Sequence, residues 1–106
     1  MRILDFIVSK QKLECDPLCD FSGIASGTRG YLCARFRFSA DWKGCKRVAI
    51  FSCRGNEVPV AIINGLCMIP AAALVGSTVA VSVVGQKDEY RITTNSVSFQ
   101  QTKGGM

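Results

Sequence analysis

The stretch FRFSADWKGCKRVAIF, residues 36–51, sets two apolar runs on either side of a corner that holds Asp41, Gly44 and Trp42, the single tryptophan of the chain. The first run belongs to YLCARFRFS (31–39). There Leu32, Ala34, Phe36 and Phe38 alternate with Arg35 and Arg37. A period of two predicts a strand with one buried and one wet face. The second run, KRVAIFSC (46–53), is apolar on both faces through its middle. That pattern predicts a central strand covered on both sides. Between them, a corner can bury an indole against the end of a core and leave its N–H for a carbonyl or water. Asp41 and Lys43 stay wet in this reading, and Gly44 supplies the tight backbone path. The alternative is Trp42 as an exposed anchor for a partner or a sugar.

The same logic extends in both directions. ILDFIVS (3–9) reads as a first strand, continued or answered by KQKLEC (10–15). Residues 16–30 carry Pro17, Gly23, Gly27 and Gly30 and read as a loop. VPVAII (58–63) is a strand whose Pro59 argues for a sheet edge. Asn64-Gly65 is a strong hairpin signal, because a two-residue type I′ turn needs positive φ at both central positions. LCMI (66–69) returns from it. PAAALVG (70–76) is the single helix-like piece, opened by Pro70. STVAVSVVG (77–85) and YRITTNSVSFQQ (90–101) are β-branched runs. The tail, residues 102–106, is expected to be flexible.

Seven or eight short strands with regular turns predict an all-β chain. The expected fold is an antiparallel β-sandwich, immunoglobulin-like or jelly-roll-like, with at most one short helix near 70–75. The 106 residues suit a single domain. At 48% apolar residues, the chain can support a folded core. The N-terminal strand and the Pro59 strand are the expected sheet edges.

Composition narrows function by what it lacks. The sequence contains no His, which removes the commonest general base and every Cys-His or Ser-His pair. The carboxylates fall mostly in turns, as in QKDEY, and GIASGTRG lacks a Gly-Lys-Ser/Thr phosphate signature. No enzyme, cofactor or bound metal is expected. CDPLC places Cys15 and Cys19 at a spacing compatible with zinc, but no second tight pair accompanies it. Six cysteines leave two readings, reduced thiols or three disulfides. The absence of a secretion signal favours thiols and a cytosolic origin. No apolar run reaches the about 18–20 residues a membrane span needs. The net charge of +5 is scattered. Nucleic acid is not expected as a partner, because stacking would need interleaved exposed aromatics and only RFRF offers them.

The segments GTRGYLCARFRFSADWKGCKRVAIF, VPVAIINGLCMIPAAALVGSTVAVSVVG and YRITTNSVSF together resemble a small β-domain of tailed phages and prophages of Gram-positive, Clostridia-type bacteria. The matching features are the Phe36/Phe38/Ser39/Trp42/Gly44 corner, the Lys46–Phe51 strand, Cys67-Met68-Ile69-Pro70, Ala73–Gly76, Val81–Gly85 and Arg91–Asn95. The resemblance spans about residues 28–99. It implies a β-sandwich in a virion protein of the tail, baseplate, head fibre or decoration type, made in the host cytoplasm. It also implies partners that are other phage structural proteins or further copies of the chain. The second functional reading is a phage-encoded accessory protein that sequesters a nucleotide signal or blocks a host defence protein. In that reading Arg29, Arg35, Arg37 and Arg54 would line a pocket for a small anion. The binding candidates are therefore Trp42 and these four arginines. The structural candidates are Trp42, Gly44, Asn64, Gly65 and Pro70.

Thiol titration of the denatured, unreduced protein should return six free thiols, and a count of zero would establish a disulfide framework instead.

Overall fold

The computed structural model describes residues 1–104 as a mostly β chain of two sheets around one shared core. The strands are β1 (Arg2–Ser9), β2 (Lys12–Cys15), β3 (Leu32–Phe38), β4 (Lys46–Cys53), β5 (Asn56–Ile62), β6 (Leu66–Met68), β7 (Thr78–Lys87), β8 (Tyr90–Thr93) and β9 (Val97–Gln100). One sheet has the order β2-β1-β3-β6. The other has the order β5-β4-β7-β8, with β9 also on β7. Among the described residues, the helical pieces are two short 3-10 turns, Ala40–Trp42 and Ala71–Ala73.

Among the described residues nine strands stand where seven or eight were expected. The extra strand comes from 90–101, which splits into β8 and β9. Both lie on β7, β8 against Val84–Lys87 and β9 against Thr78–Val81. The break between them is used. Asn95 accepts a hydrogen bond from Leu13 N–H at 2.7 Å and donates one to the Leu13 carbonyl at 3.0 Å, clasping the second sheet to β2 of the first. The pairing is not uniformly antiparallel either, since β1 and β3 run parallel from Arg2↔Leu32 to Val8↔Phe38. That crossover uses residues 10–31, and it places β1 in the interior of its sheet. The expectation that the N-terminal strand is an edge is thus corrected. The β1 segment not paired with β2 is covered by the 16–23 loop. There Asp16 N–H donates to the Asp5 carbonyl at 2.9 Å, and Asp5 N–H donates to Cys19 Sγ at 3.3 Å. Arg2 Nη2 ties the loop down through the carbonyls of Asp20 and Ser22, at 2.9 and 2.6 Å. The Pro59 strand, β5, is an edge as expected.

The turns follow from backbone chemistry. Asn64 and Gly65 have φ of 53° and 78° and link β5 to β6 in the type I′ manner read from the sequence. Arg54 and Gly55 repeat the geometry between β4 and β5, with φ of 53° and 79°. Of the tail, Thr102 pairs with Ala25 and Gly104 N–H donates to Ser26 Oγ at 3.0 Å. Residues 105 and 106 lie outside the described residues.

The inner faces meet through aromatic rings. Phe6 stacks on Phe36 at 5.1 Å, meets Phe21 edge-on at 5.4 Å and reaches Phe99 of the opposite sheet at 6.5 Å. Phe51, Val79, Val81 and Val83 are fully buried against them. Trp42 is fully buried as well. Its Nε1–H donates to the Lys10 carbonyl at 2.8 Å, and its ring lies 5.2 Å from that of Phe38. Arg47 stacks over Phe38 at 4.3 Å and donates to the Trp42 carbonyl through Nε and Nη2. Room for the indole comes from Gly85. A Cβ at Gly85 would sit 2.7 Å from Trp42 Cζ3 and 2.8 Å from Cε3.

Gly85→Ala should therefore displace the indole and destabilise the fold by about 1–3 kcal/mol, as overpacked cores do. Urea unfolding followed by Trp42 fluorescence reads this directly. An unchanged midpoint would mean that the indole is not wedged against β7.

Candidate functional site

The five residues singled out as binding candidates do not converge. Trp42 presents no surface, so the anchor reading of that side chain is replaced by the plug reading. Arg35 and Arg37 project from the outer face of the first sheet, and both are engaged. Arg35 Nε and Nη2 donate to the two carboxylate oxygens of Asp5 at 2.6 and 3.2 Å, and Asp5 holds the guanidinium pKa above its ordinary value. Arg37 Nη2 bonds Asp16 at 3.0 Å. Arg29 is exposed in the 16–30 loop. Arg54 sits at the β4–β5 turn, on the rim of a cleft of about 590 Å³ shared with Val75, Gln101 and Lys103. No common anion pocket forms from these arginines.

The carboxylates and thiols serve local structure. Ser22, through its hydroxyl and its N–H, holds the Asp20 carboxyl below its usual range. The six cysteines are all free thiols. Cys15 ends β2, and Cys19 lies at the edge of β1 through its contact with Asp5 N–H. No group of three or more His, Cys, Asp or Glu side chains placed to hold a metal occurs among the described residues. Among the same residues, no helix is long and apolar enough to cross a membrane.

The outer face of the second sheet is where the chain leaves its chemistry open. Strand register aligns side chains across it in rows. Lys46, Gln86 and Arg91 form one row, and Ala61, Val48, Val84 and Thr93 the next. Pro59, Ile50 and Ser82 form a third. Val48, Ile50 and Val84 are half-buried. They floor a cleft of about 760 Å³, rimmed by Lys46, Lys87, Arg91 and Asp88. Gly44, with φ of 81°, lies under the Lys87 ammonium, 3.2 Å from where a Cβ would stand. β4 was read as doubly covered. Its inner side chains Ala49, Phe51 and Cys53 are buried, but among the described residues no second layer covers the outer ones. The signal for this face was in the sequence, as the double apolar pattern of residues 46–53. What the sequence hid was which face would stay open, since that depends on the sheet order.

Compared with known proteins, the chain matches no family model and no curated protein. The geometry of its surfaces therefore carries the functional reading. The open face offers an aliphatic floor and a cationic rim.

The cysteines give a check on the placement of side chains. Burial, with the neighbouring Cys33 adding to it, pushes the Cys67 thiol up to about 12. At pH 8 in the native state, iodoacetamide should modify Cys67 far more slowly than Cys19 or Cys33, with the difference abolished by denaturant. Mass spectrometry of the alkylated peptides measures it, and equal native rates would contradict the packing of β6.

Proposed function

We propose that this chain is a non-enzymatic assembly module of a tailed-phage virion, an immunoglobulin-like or jelly-roll-like β-sandwich that acts through contacts with other structural subunits or further copies of itself. The observation that supports this reading best is the open outer face of the β5-β4-β7-β8 sheet. Wet faces of antiparallel sheets are ordinarily polar. Here the centre of the face carries Val48, Ile50 and Val84, aliphatic and half-buried, with the β5 edge beside them. Pro59, in mid-strand, blunts that edge against indiscriminate pairing. A surface of this kind is stabilised when a second protein layer covers it. The virion setting comes from the resemblance carried by the 36–51 corner and the segments that follow it.

The second reading, an accessory protein that captures a nucleotide signal, draws on Arg54 and Lys103 at their shared cleft. It loses support because Arg35 and Arg37 are neutralised by Asp5 and Asp16.

Purified particles from an induced lysogen carrying the gene should contain the chain at a copy number comparable to head or tail subunits, as counted by quantitative mass spectrometry. Its absence from particles would remove the virion reading. A melting temperature raised by micromolar cyclic or linear nucleotides would favour the second reading in its place.

A further inference from the structure

We propose that the cleft on the outer face of the β5-β4-β7-β8 sheet is a docking site for an acidic, aliphatic-rich segment of a partner protein. Such a segment would lay its apolar side chains on Val48, Ile50 and Val84 and its carboxylates against Lys46, Lys87 and Arg91. This inference rests on the docking reading above and adds the chemistry of the partner.

The first support is an asymmetry in how the molecule handles its charge. Three ion pairs occur among the described residues: Lys12–Glu14, Arg35–Asp5 and Arg37–Asp16. All three belong to the β2-β1-β3-β6 sheet and the loop that covers its edge. On the opposite face Lys46, Lys87 and Arg91 have no carboxylate of the described residues within ion-pair distance. Asp88 is the one acidic side chain on the cleft wall. One face is thus neutralised from within, while the rim of the other sets three cations against the single carboxylate of Asp88. Such a rim raises the encounter rate of an acidic partner and fixes its register.

The second support is the floor. Val48 and Val84 are cross-strand partners, and Ile50 lies two residues along β4 on the same face. The β-branched side chains form a continuous strip bounded at one end by the Lys46–Gln86–Arg91 row. A phosphate-rich polymer gains little from such a floor, because bases stack on aromatic rings and none lines this cleft. Aliphatic side chains gain contact area on it and lose water. A floor and rim in this order select a ligand that is apolar along its length and acidic at one end. The volume of about 760 Å³ is enough for a few side chains rather than a whole domain face. The chain itself, at net charge +5, is a poor donor of that ligand to a second copy.

The test uses the full chain and four fluorescein-labelled probes of equal length. One peptide alternates Val or Ile with Ser and ends in an Asp/Glu cluster. Its two controls carry a Lys cluster or a Ser cluster at that end. The fourth probe is a single-stranded oligo-dT. Fluorescence anisotropy should show saturable binding of the acidic peptide, about tenfold weaker binding of the Ser control and none of the Lys control. Binding of the acidic peptide should weaken as salt rises. The triple variant K46E/K87E/R91E should lose the acidic peptide. V84T, which keeps the shape of the floor, should weaken both peptides that bind; circular dichroism and melting curves confirm that the variants stay folded. Failure of the acidic peptide to saturate at millimolar concentration overturns the proposal. So does equal binding of acidic and Lys-ended peptides, or tighter binding of oligo-dT. Loss of the peptide result with the chain still present in particles removes only the partner's chemistry. The converse removes only the virion setting.

Discussion

The seat of Trp42 is the constraint on which the rest of the molecule depends. The indole closes one end of the space between the sheets. It reaches three elements at once: the β1–β2 turn through the Lys10 carbonyl, β3 through Phe38, and β7 through the missing Cβ of Gly85. Arg47 fixes the backbone of the same corner from β4. A large side chain at a corner thus buries as much surface as one in mid-strand, while its single polar atom still finds a partner. The charges around it, Asp41 and Lys43, are exposed and add no desolvation cost.

Much of this was legible in the residues. The alternation of Leu32, Ala34, Phe36 and Phe38 against Arg35 and Arg37 gave β3 and its buried face. Asn64-Gly65 gave a turn and its φ signs, because few residues tolerate a left-handed backbone. What escaped was non-local. The parallel pairing of β1 with β3 leaves no mark on either strand, since each would look the same beside an antiparallel neighbour. The split of 90–101 was hidden because Thr94–Ser96 is as compatible with extended chain as the segments around it. Asn95 declares its role only when Leu13 is brought opposite.

The candidate site was partly visible for the same reason. Local pattern showed that residues 46–53 are apolar on both sides. Only the sheet order decides that the Val48 and Ile50 side faces outward with nothing above it. Arg35 and Arg37 are less available than their sequence suggests, because a cation's availability depends on whether a carboxylate stands opposite. Asp5 and Asp16 meet Arg35 and Arg37 only through tertiary pairing, 30 and 21 residues apart in sequence. Lys46 and Arg91 come together by register on either side of Gln86, and Lys87 joins them from the end of β7, where its side chain passes over Gly44.

The Asn95 clasp has a bearing on biogenesis. Leu13 waits for Asn95, Ala25 for Thr102, and Phe6 for Phe99, so the early strands have no complete set of neighbours while the later ones are still within the ribosome. The first sheet cannot be sealed hairpin by hairpin during synthesis. Its greasy inner face must stay tolerable to the cell until the closing segment emerges. Completion then waits for residues 95–102, and a nascent chain stalled before them leaves apolar surface open to chaperones.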